Sequence, residues 1–241
     1  ISHTAADALN QYAHSIQLGT THTQARYFLP SVLKQYQQQW PEVRLDVHPD
    51  NPPQLASALA KGELQLAIAT ENLSEHPSVL ALPCYRWNRL LIAPPEHPIL
   101  KLAVLTLEAL AQLPLISYST GHTARGVIDQ VFASAKLSPQ WVMTATDTDV
   151  IKTYVANGFG VGIIAQMGYN AMYDTQLQAR SLADLFPPAT SYVGIRRGLV
   201  PQKNVLALVA TLTGYSMSQI AHWSLLPTVE VQKTLKNLPI K

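Results

Sequence analysis

The sequence predicts an α/β protein of two lobes, each a mostly parallel central sheet flanked by helices, with the second lobe inserted between parts of the first. Three observations carry that expectation. Short apolar strands alternate with amphipathic helical segments along most of the chain, and strand–helix–strand alternation builds parallel sheets with right-handed crossovers. The stretch Leu64-Gln-Leu-Ala-Ile-Ala-Thr70 is nearly continuous in apolar residues, which suits a strand covered on both faces. The length of 241 residues accommodates two lobes, each of about 100 residues.

Taken in order, residues 4–15 read as a short amphipathic helix with Ala5, Leu9, Tyr12 and Ala13 on one side. A strand over 16–20 gives way to the polar run Thr20-Thr21-His22-Thr23-Gln24 and then to a helix reaching about Trp40. Pro30 interrupts that helix, so its regular part is expected from about Phe28. Residues 43–47 alternate as a strand. Pro52 and Pro53 open a helix over 54–61 with Leu55, Ala58 and Leu59 inward, as proline does at a first turn. A short strand at 80–82 and another at 87–93 follow. Helices are expected at 105–113, 124–135 and 149–156, and strands at 115–118, 140–144, 161–165 and 192–196. One long helical pattern covers 205–223 and a second covers 229–238. The expected division is 16–84 plus 197–226 for the first lobe and 85–196 for the second. Residues 227–241 form a C-terminal helical extension.

Composition narrows the function. Charged residues make up 13% of the chain and the formal net charge is +2, too weak a balance to argue for nucleic-acid binding by this chain itself. Cys84 is the single cysteine. That excludes an internal disulfide and fits a reducing compartment. No apolar run is long enough for a spanning helix. The N-terminus shows no signal-peptide pattern and no initiator Met, so a fragment of a longer protein is expected.

Open α/β sheets bind ligands beyond the carboxyl ends of their strands. Here those ends are 20–24, Thr70, 118–123 and 144–148, and all four carry hydroxyls. One threonine at a helix start is a cap; four such turns converging on one cleft are a site. The N–H groups of a helix start lack intrahelical acceptors and favour an anion. Arg26, Arg125 and Lys152 are the nearby cations, and two of them fall inside helices, so recognition by neutral dipoles is expected. A sulfate-like dianion needs only donors, whereas a protonated phosphate also needs an acceptor. Asp147 and Asp149 suit a cationic amine or, more commonly, capping of the helix that follows.

Signals of catalysis are weak. The eight histidines are scattered without metal-ligand spacing, so no metal site is expected. Gly158-Phe-Gly-Val-Gly162 lacks dinucleotide spacing and reads as a helix C-cap. There is no Gly-x-Ser-x-Gly elbow. His22 and His122 both fall on cleft turns without completing a catalytic set. No catalytic residue and no cofactor are expected.

Three long strings then point to a family: Thr20-Thr-His-Thr-Gln-Ala-Arg-Tyr27, Leu82-Pro-Cys-Tyr-Arg-Trp-Asn-Arg89 and Thr144-Ala-Thr-Asp-Thr-Asp-Val-Ile-Lys-Thr-Tyr-Val155. With Ala67-Ile-Ala-Thr70 and Gly158-Phe-Gly-Val-Gly-Ile-Ile-Ala165, they resemble the CysB/Cbl group of LysR-type transcriptional regulators. The resemblance covers roughly residues 10–197. It implies a type-2 periplasmic-binding-protein-like fold with a ligand cleft between the lobes, acting in the cytoplasm as a sensor for sulfur assimilation and cysteine synthesis. The implied effectors are sulfate, thiosulfate, acetylserine or adenosine phosphosulfate. The implied site is Thr21, Thr23, Gln24, Thr70, Trp87 and Thr123, with His22, His122, Thr146, Asp147 and Thr148 as further candidates. The loop at 118–125 departs from the family pattern at His122 and Ala124, and Thr148 stands where alanine is expected.

The same resemblance implies homodimers or homotetramers, promoter DNA bound only through an N-terminal winged helix-turn-helix missing here, RNA polymerase as a partner of the full-length protein, and no membrane. Residues 1–15 would be the remnant of a linker helix. Two other classes remain open at this point: an oxyanion solute-binding protein of a transport system, and an enzyme acting on an acetylserine or a sulfate ester.

Overall fold

The computed structural model describes residues 15–70, 73–122, 125–227 and 230. The expected linker-helix remnant, the helix at 229–238 and Thr123 therefore lie outside the described residues. The chain divides into two compact units, one built from the residues up to Tyr85 together with those from Ser191 onward, the other from Arg86–Thr190. The return to the first unit thus falls at Ser191, where the sequence reading placed it at residue 197.

The first unit begins with β1 (Ser15–Thr20) and the short helix α1 (His22–Tyr27), followed by α2 (Leu29–Gln39), β2 (Arg44–Pro49), α3 (Pro52–Lys61), β3 (Leu66–Ala69) and β4 (Val79–Trp87). Pro30 falls in the first turn of α2, where its missing N–H costs nothing. Asn51 caps α3 by accepting from Gln54 N at 3.0 Å, and Gly62 ends it in the left-handed conformation at φ 79°. β10 (Ala189–Arg196) then completes a five-stranded sheet in the order β2-β1-β3-β10-β4. β1 runs parallel to β2 and β3, and β10 runs antiparallel to β3.

Two helices close this unit, α7 (Lys203–Thr213) and α8 (Met217–Leu225). They replace the single helix expected over 205–223. Gly214 stops α7 at φ 80°, and Ser216 opens α8 with a capping box shared with Gln219. The core on this side joins Ile16, Leu18, Ile68, Val193, Leu208 and Ile220.

The second unit holds β5 (Arg89–Ala93), α4 (Leu107–Ala111), β6 (Pro114–Tyr118), α5 (Arg125–Ser134), β7 (Gln140–Ala145), α6 (Thr148–Ala156), β8 (Val161–Ala165) and β9 (Gln178–Ser181). Its sheet order is β7-β6-β8-β5-β9. β6 pairs parallel with β7 and β8, and β5 pairs antiparallel with β8 and β9. Both sheets are therefore mixed. Leu91, Leu115, Ile128, Phe132, Ile163 and Phe186 form this unit's core.

Candidate anion seat at the edge of the first sheet

β1 lies between β2 and β3, so its carboxyl end opens between two neighbouring strand ends. Gly19 allows this approach: a Cβ there would lie 2.4 Å from Leu64 Cδ1 and 2.7 Å from Leu55 Cδ2. The chain then turns at Thr21, whose backbone is extended and whose carbonyl accepts from Ala25 N at 2.9 Å. Thr21 occupies the N-cap position, yet its side chain makes no capping bond. The plain capping role open to any threonine at a helix start is thus not the one its hydroxyl plays.

Thr20, Thr21, Thr23 and Gln24 are all buried. Burying polar groups is costly unless each finds a partner, so four in one turn mark a polar cluster in the fold. β3 ends beside β1, with Thr20 level with Ile68, and this brings half-buried Thr70 to the same edge. The antiparallel register of β10, Tyr192 opposite Ala69, sets Ser191 there as well. The Thr70 and Ser191 hydroxyl oxygens are 3.5 Å apart.

Gln24 ties this edge together. Its Nε2 donates to Ser191 Oγ at 2.8 Å, and its Oε1 accepts from the Tyr85 hydroxyl. Tyr85 is held in turn by stacking on Phe28, with ring centroids 4.1 Å apart. Burial pushes the Tyr85 phenol well above its ordinary range, partly offset by hydrogen bonds with Ser191 and Gln24. The phenol therefore keeps its proton at neutral pH. Thr21, Thr23, Gln24 and Thr70, named from the sequence, share this edge, while His22 is exposed. Tyr85 and Ser191 were missed. Tyr85 stands in the string Leu82-Pro-Cys-Tyr-Arg-Trp-Asn-Arg89, but Ser191 enters only through the pairing of β10 with β3.

The remaining sequence candidates belong to the second unit. Trp87 is buried, with the Arg89 guanidinium 5.4 Å from its ring centroid. His122 is half-buried and its carbonyl accepts from Arg125 N at 2.9 Å. Thr146 is exposed. Asp147 caps α6, its Oδ1 accepting from Asp149 N at 2.7 Å and Val150 N at 3.2 Å. Thr148 is fully buried and lies 2.7 Å from the Tyr118 hydroxyl, which also accepts from Ala165 N at 3.0 Å.

Of the three cations near these turns, Arg26 is exposed with its guanidinium 5.8 Å from the Tyr27 ring centroid, and the other two are committed to the protein. Arg125, buried rather than solvent-facing, donates to the Tyr118 carbonyl at 2.6 Å, pairs with Asp129 at 2.9 Å and lies 3.8 Å from the Trp141 ring centroid. Lys152 bridges Asp149 at 3.0 Å and Asp174 at 2.9 Å. Among the described residues, no group of three or more His, Cys, Asp or Glu is placed to hold a metal ion, and no helix is long and apolar enough to cross a membrane.

Two open α/β sheets joined by crossover strands define a periplasmic-binding-protein-like ligand-binding domain. The chain matches the LysR substrate binding domain over residues 10–216 and belongs to that family. It is 41% identical over 189 residues to the HTH-type transcriptional regulator SsuR of Burkholderia cenocepacia, covering 78% of this chain and 61% of that protein. It is 42% identical over 192 residues to the HTH-type transcriptional regulator CysB of Haemophilus influenzae, covering 79% and 59%. It therefore spans about three-fifths of the length of these relatives. The crystal structure of the cofactor-binding domain of the Cbl transcriptional regulator superposes with a TM-score of 0.84 at 38% identity, covering 86% of this chain and 92% of that one. The BenM effector binding domain with benzoate shares the fold alone, with a TM-score of 0.71 at 15% identity over 93% of this chain and 96% of that one.

Proposed function

We propose that this chain is the effector-sensing part of a transcriptional regulator of sulfur assimilation and cysteine synthesis. In this reading Thr21, Thr23, Gln24 and Thr70 hold a small sulfur-pathway effector: sulfate, thiosulfate, an acetylserine or adenosine phosphosulfate. The observation that carries it is the set of buried neutral donors at one sheet edge, with the Thr21 hydroxyl unspent on its helix. The names of the relatives support the sulfur connection, and favour a regulator over an oxyanion solute-binding protein of a transport system. The family resemblance adds Thr123 and Trp87 as further contacts, and His122 as a candidate.

The effector is bound without turnover. It acts by favouring one state of the domain, and a ligand shifts such an equilibrium only by its differential affinity for the two states. The longer protein would work in the cytoplasm as a homodimer or homotetramer. It would pass the change to a DNA-binding segment at a promoter, where RNA polymerase is the downstream partner.

Thermal melts in buffer free of sulfate and phosphate test this, with each effector added singly. A ligand at about 100 times its dissociation constant stabilises by about 2.7 kcal/mol. Thr21→Ala should weaken binding by about 1–3 kcal/mol, the weight of one donor to a charged partner, and leave the unliganded melt in place. No shift with any of these effectors would sink the sulfur reading, and wild-type affinity in Thr21→Ala would sink the site.

A further inference from the structure

The orientation of the Gln24 side chain carries a second inference, which rests on the anion seat proposed above. A primary amide offers an acceptor at one end and two donors at the other, with nearly the same shape either way round. What faces a ligand is decided by the partners that hold the amide. Gln24 has two hydroxyl neighbours, Tyr85 at Oε1 and Ser191 at Nε2, the latter at 2.8 Å. A hydroxyl can donate or accept, so hydrogen-bond count alone does not choose the orientation. Acidity does. A phenol is a far stronger acid than an aliphatic alcohol and so the stronger donor, and it takes the amide's only acceptor. Stacking on Phe28 prevents the phenol from swinging away. With the phenol proton on Oε1, the hydrogen bond between Tyr85 and Ser191 has Ser191 as donor, Ser191 accepts from Nε2, and the second Nε2 hydrogen is the one directed to a ligand.

We propose that Tyr85 is a positioning residue: by donating to Gln24 Oε1 it fixes the amide with only N–H toward the seat, and so makes the seat disfavour oxyanions that still carry a proton. Sulfate carries none near neutral pH, whereas inorganic phosphate keeps at least one. At a donor-only amide that proton meets another donor, so it must turn to a threonine hydroxyl, which then accepts where it would otherwise donate, and one favourable contact to the anion is lost. Without the Tyr85 hydroxyl, the amide turns over, its carbonyl accepts from Ser191, and the same oxygen becomes available to a protonated ligand.

The test is calorimetric titration of the chain with inorganic sulfate and with inorganic phosphate. The wild type should prefer sulfate. Tyr85→Phe should narrow the ratio of the two dissociation constants about tenfold, the weight of one mismatched donor. Ser191→Ala, which leaves Tyr85 on the carbonyl, should keep the wild-type ratio. An unchanged ratio in Tyr85→Phe, with sulfate still bound, overturns the role of Tyr85 and leaves the seat standing. No binding of either anion by the wild type overturns the seat and this inference together. Should Tyr85→Phe fail to fold, side-chain amide NMR of the wild type decides. Gln24 Nε2 hydrogens close to the Ser191 β-protons support the orientation, and contacts to the Tyr85 ring protons overturn it.

Discussion

Gly168 and Thr148 make a sharp test of the packing beneath the second unit's strand ends. A Cβ at Gly168 would lie 2.5 Å from Thr148 Cγ2, 3.3 Å from its Oγ1 and 3.4 Å from its Cβ. The first of these distances is impossible without movement, and Thr148 has nowhere to go: it is fully buried and held by the Tyr118 hydroxyl at 2.7 Å. Gly168→Ala alone should therefore cost about 1–3 kcal/mol, the usual weight of one methyl too many in a packed core. Thr148→Ser removes Cγ2 and keeps the hydroxyl. It should cost about 1 kcal/mol for the lost buried methyl. In the double variant the 2.5 Å contact is gone, and the nearest remaining atom is the hydroxyl oxygen at 3.3 Å. The pair should thus be more stable than the sum of the singles by about 1 kcal/mol or more, within the range of coupling between touching residues. Urea unfolding followed by circular dichroism measures all four proteins, with equal slopes required before midpoints are compared. Strictly additive destabilisation would refute the reasoning, because it would show that the methyl at 148 is not what excludes a side chain at 168.

Three further outcomes follow from local geometry. Lys152→Met should destabilise the second unit by about 2–4 kcal/mol, since it leaves Asp149 and Asp174 without the ammonium that bridges them; thermal melts measure it, and a change under about 0.5 kcal/mol would show the bridge to be idle. Asp147→Ala should cost about 1 kcal/mol through its lost cap, with Asp147→Asn recovering most of it; an effect of Asp147→Asn on effector affinity instead would assign the carboxylate to the ligand. The Asp46 carboxyl is held below its ordinary range, first by the hydrogen bond from Gln17 Nε2 at 2.7 Å and then by Arg44. A depressed carboxylate contributes stability above its unfolded-state pKa of about 4 and loses it as the pH falls through the lower folded value. The acid limb of stability should therefore be shallower in Asp46→Asn, read from melts at stepped pH, and an identical limb would count against the interaction.

Much of this architecture is legible from residue order. The Pro52-Pro53 helix start, the apolar strand ending at Thr70 and the threonine turn after β1 all rest on local chemistry, and the structure has them. The misses need information that lies elsewhere in the chain. The apolar period runs through Gly214, so two helices read as one until the left-handed stop and the Ser216 cap are seen. β9 has the sequence Gln-Ala-Arg-Ser, without apolar alternation, and is a strand only because β5 offers it a free edge. Arg125 reads as a surface helix residue, yet the Tyr118 carbonyl and the Trp141 ring bury it. The same holds at the candidate site. A turn of threonines announces itself in sequence, whereas Ser191 is more than a hundred residues away and arrives through antiparallel pairing.

The disposition of charge makes the site intelligible. A buried cation is tolerable only where it is paired or hydrogen-bonded. Arg89 donates to the Pro187 carbonyl at 2.8 Å, Arg125 to the Tyr118 carbonyl and Asp129, and Lys152 to two carboxylates. Each of these charges is spent on holding the second unit's strands and turns in place. The polar edge of the first unit, by contrast, is made of hydroxyls and an amide. A seat of that kind gains its affinity from the number and direction of neutral donors, each worth about 1–3 kcal/mol to a charged partner, and not from a single long-range attraction. It therefore distinguishes anions by where their protons and oxygens lie, which a bare positive charge does not. Under the proposed oxyanion-sensing role, direction would carry the information, and the Gln24 amide that would supply it has its Oε1 on the Tyr85 hydroxyl of β4.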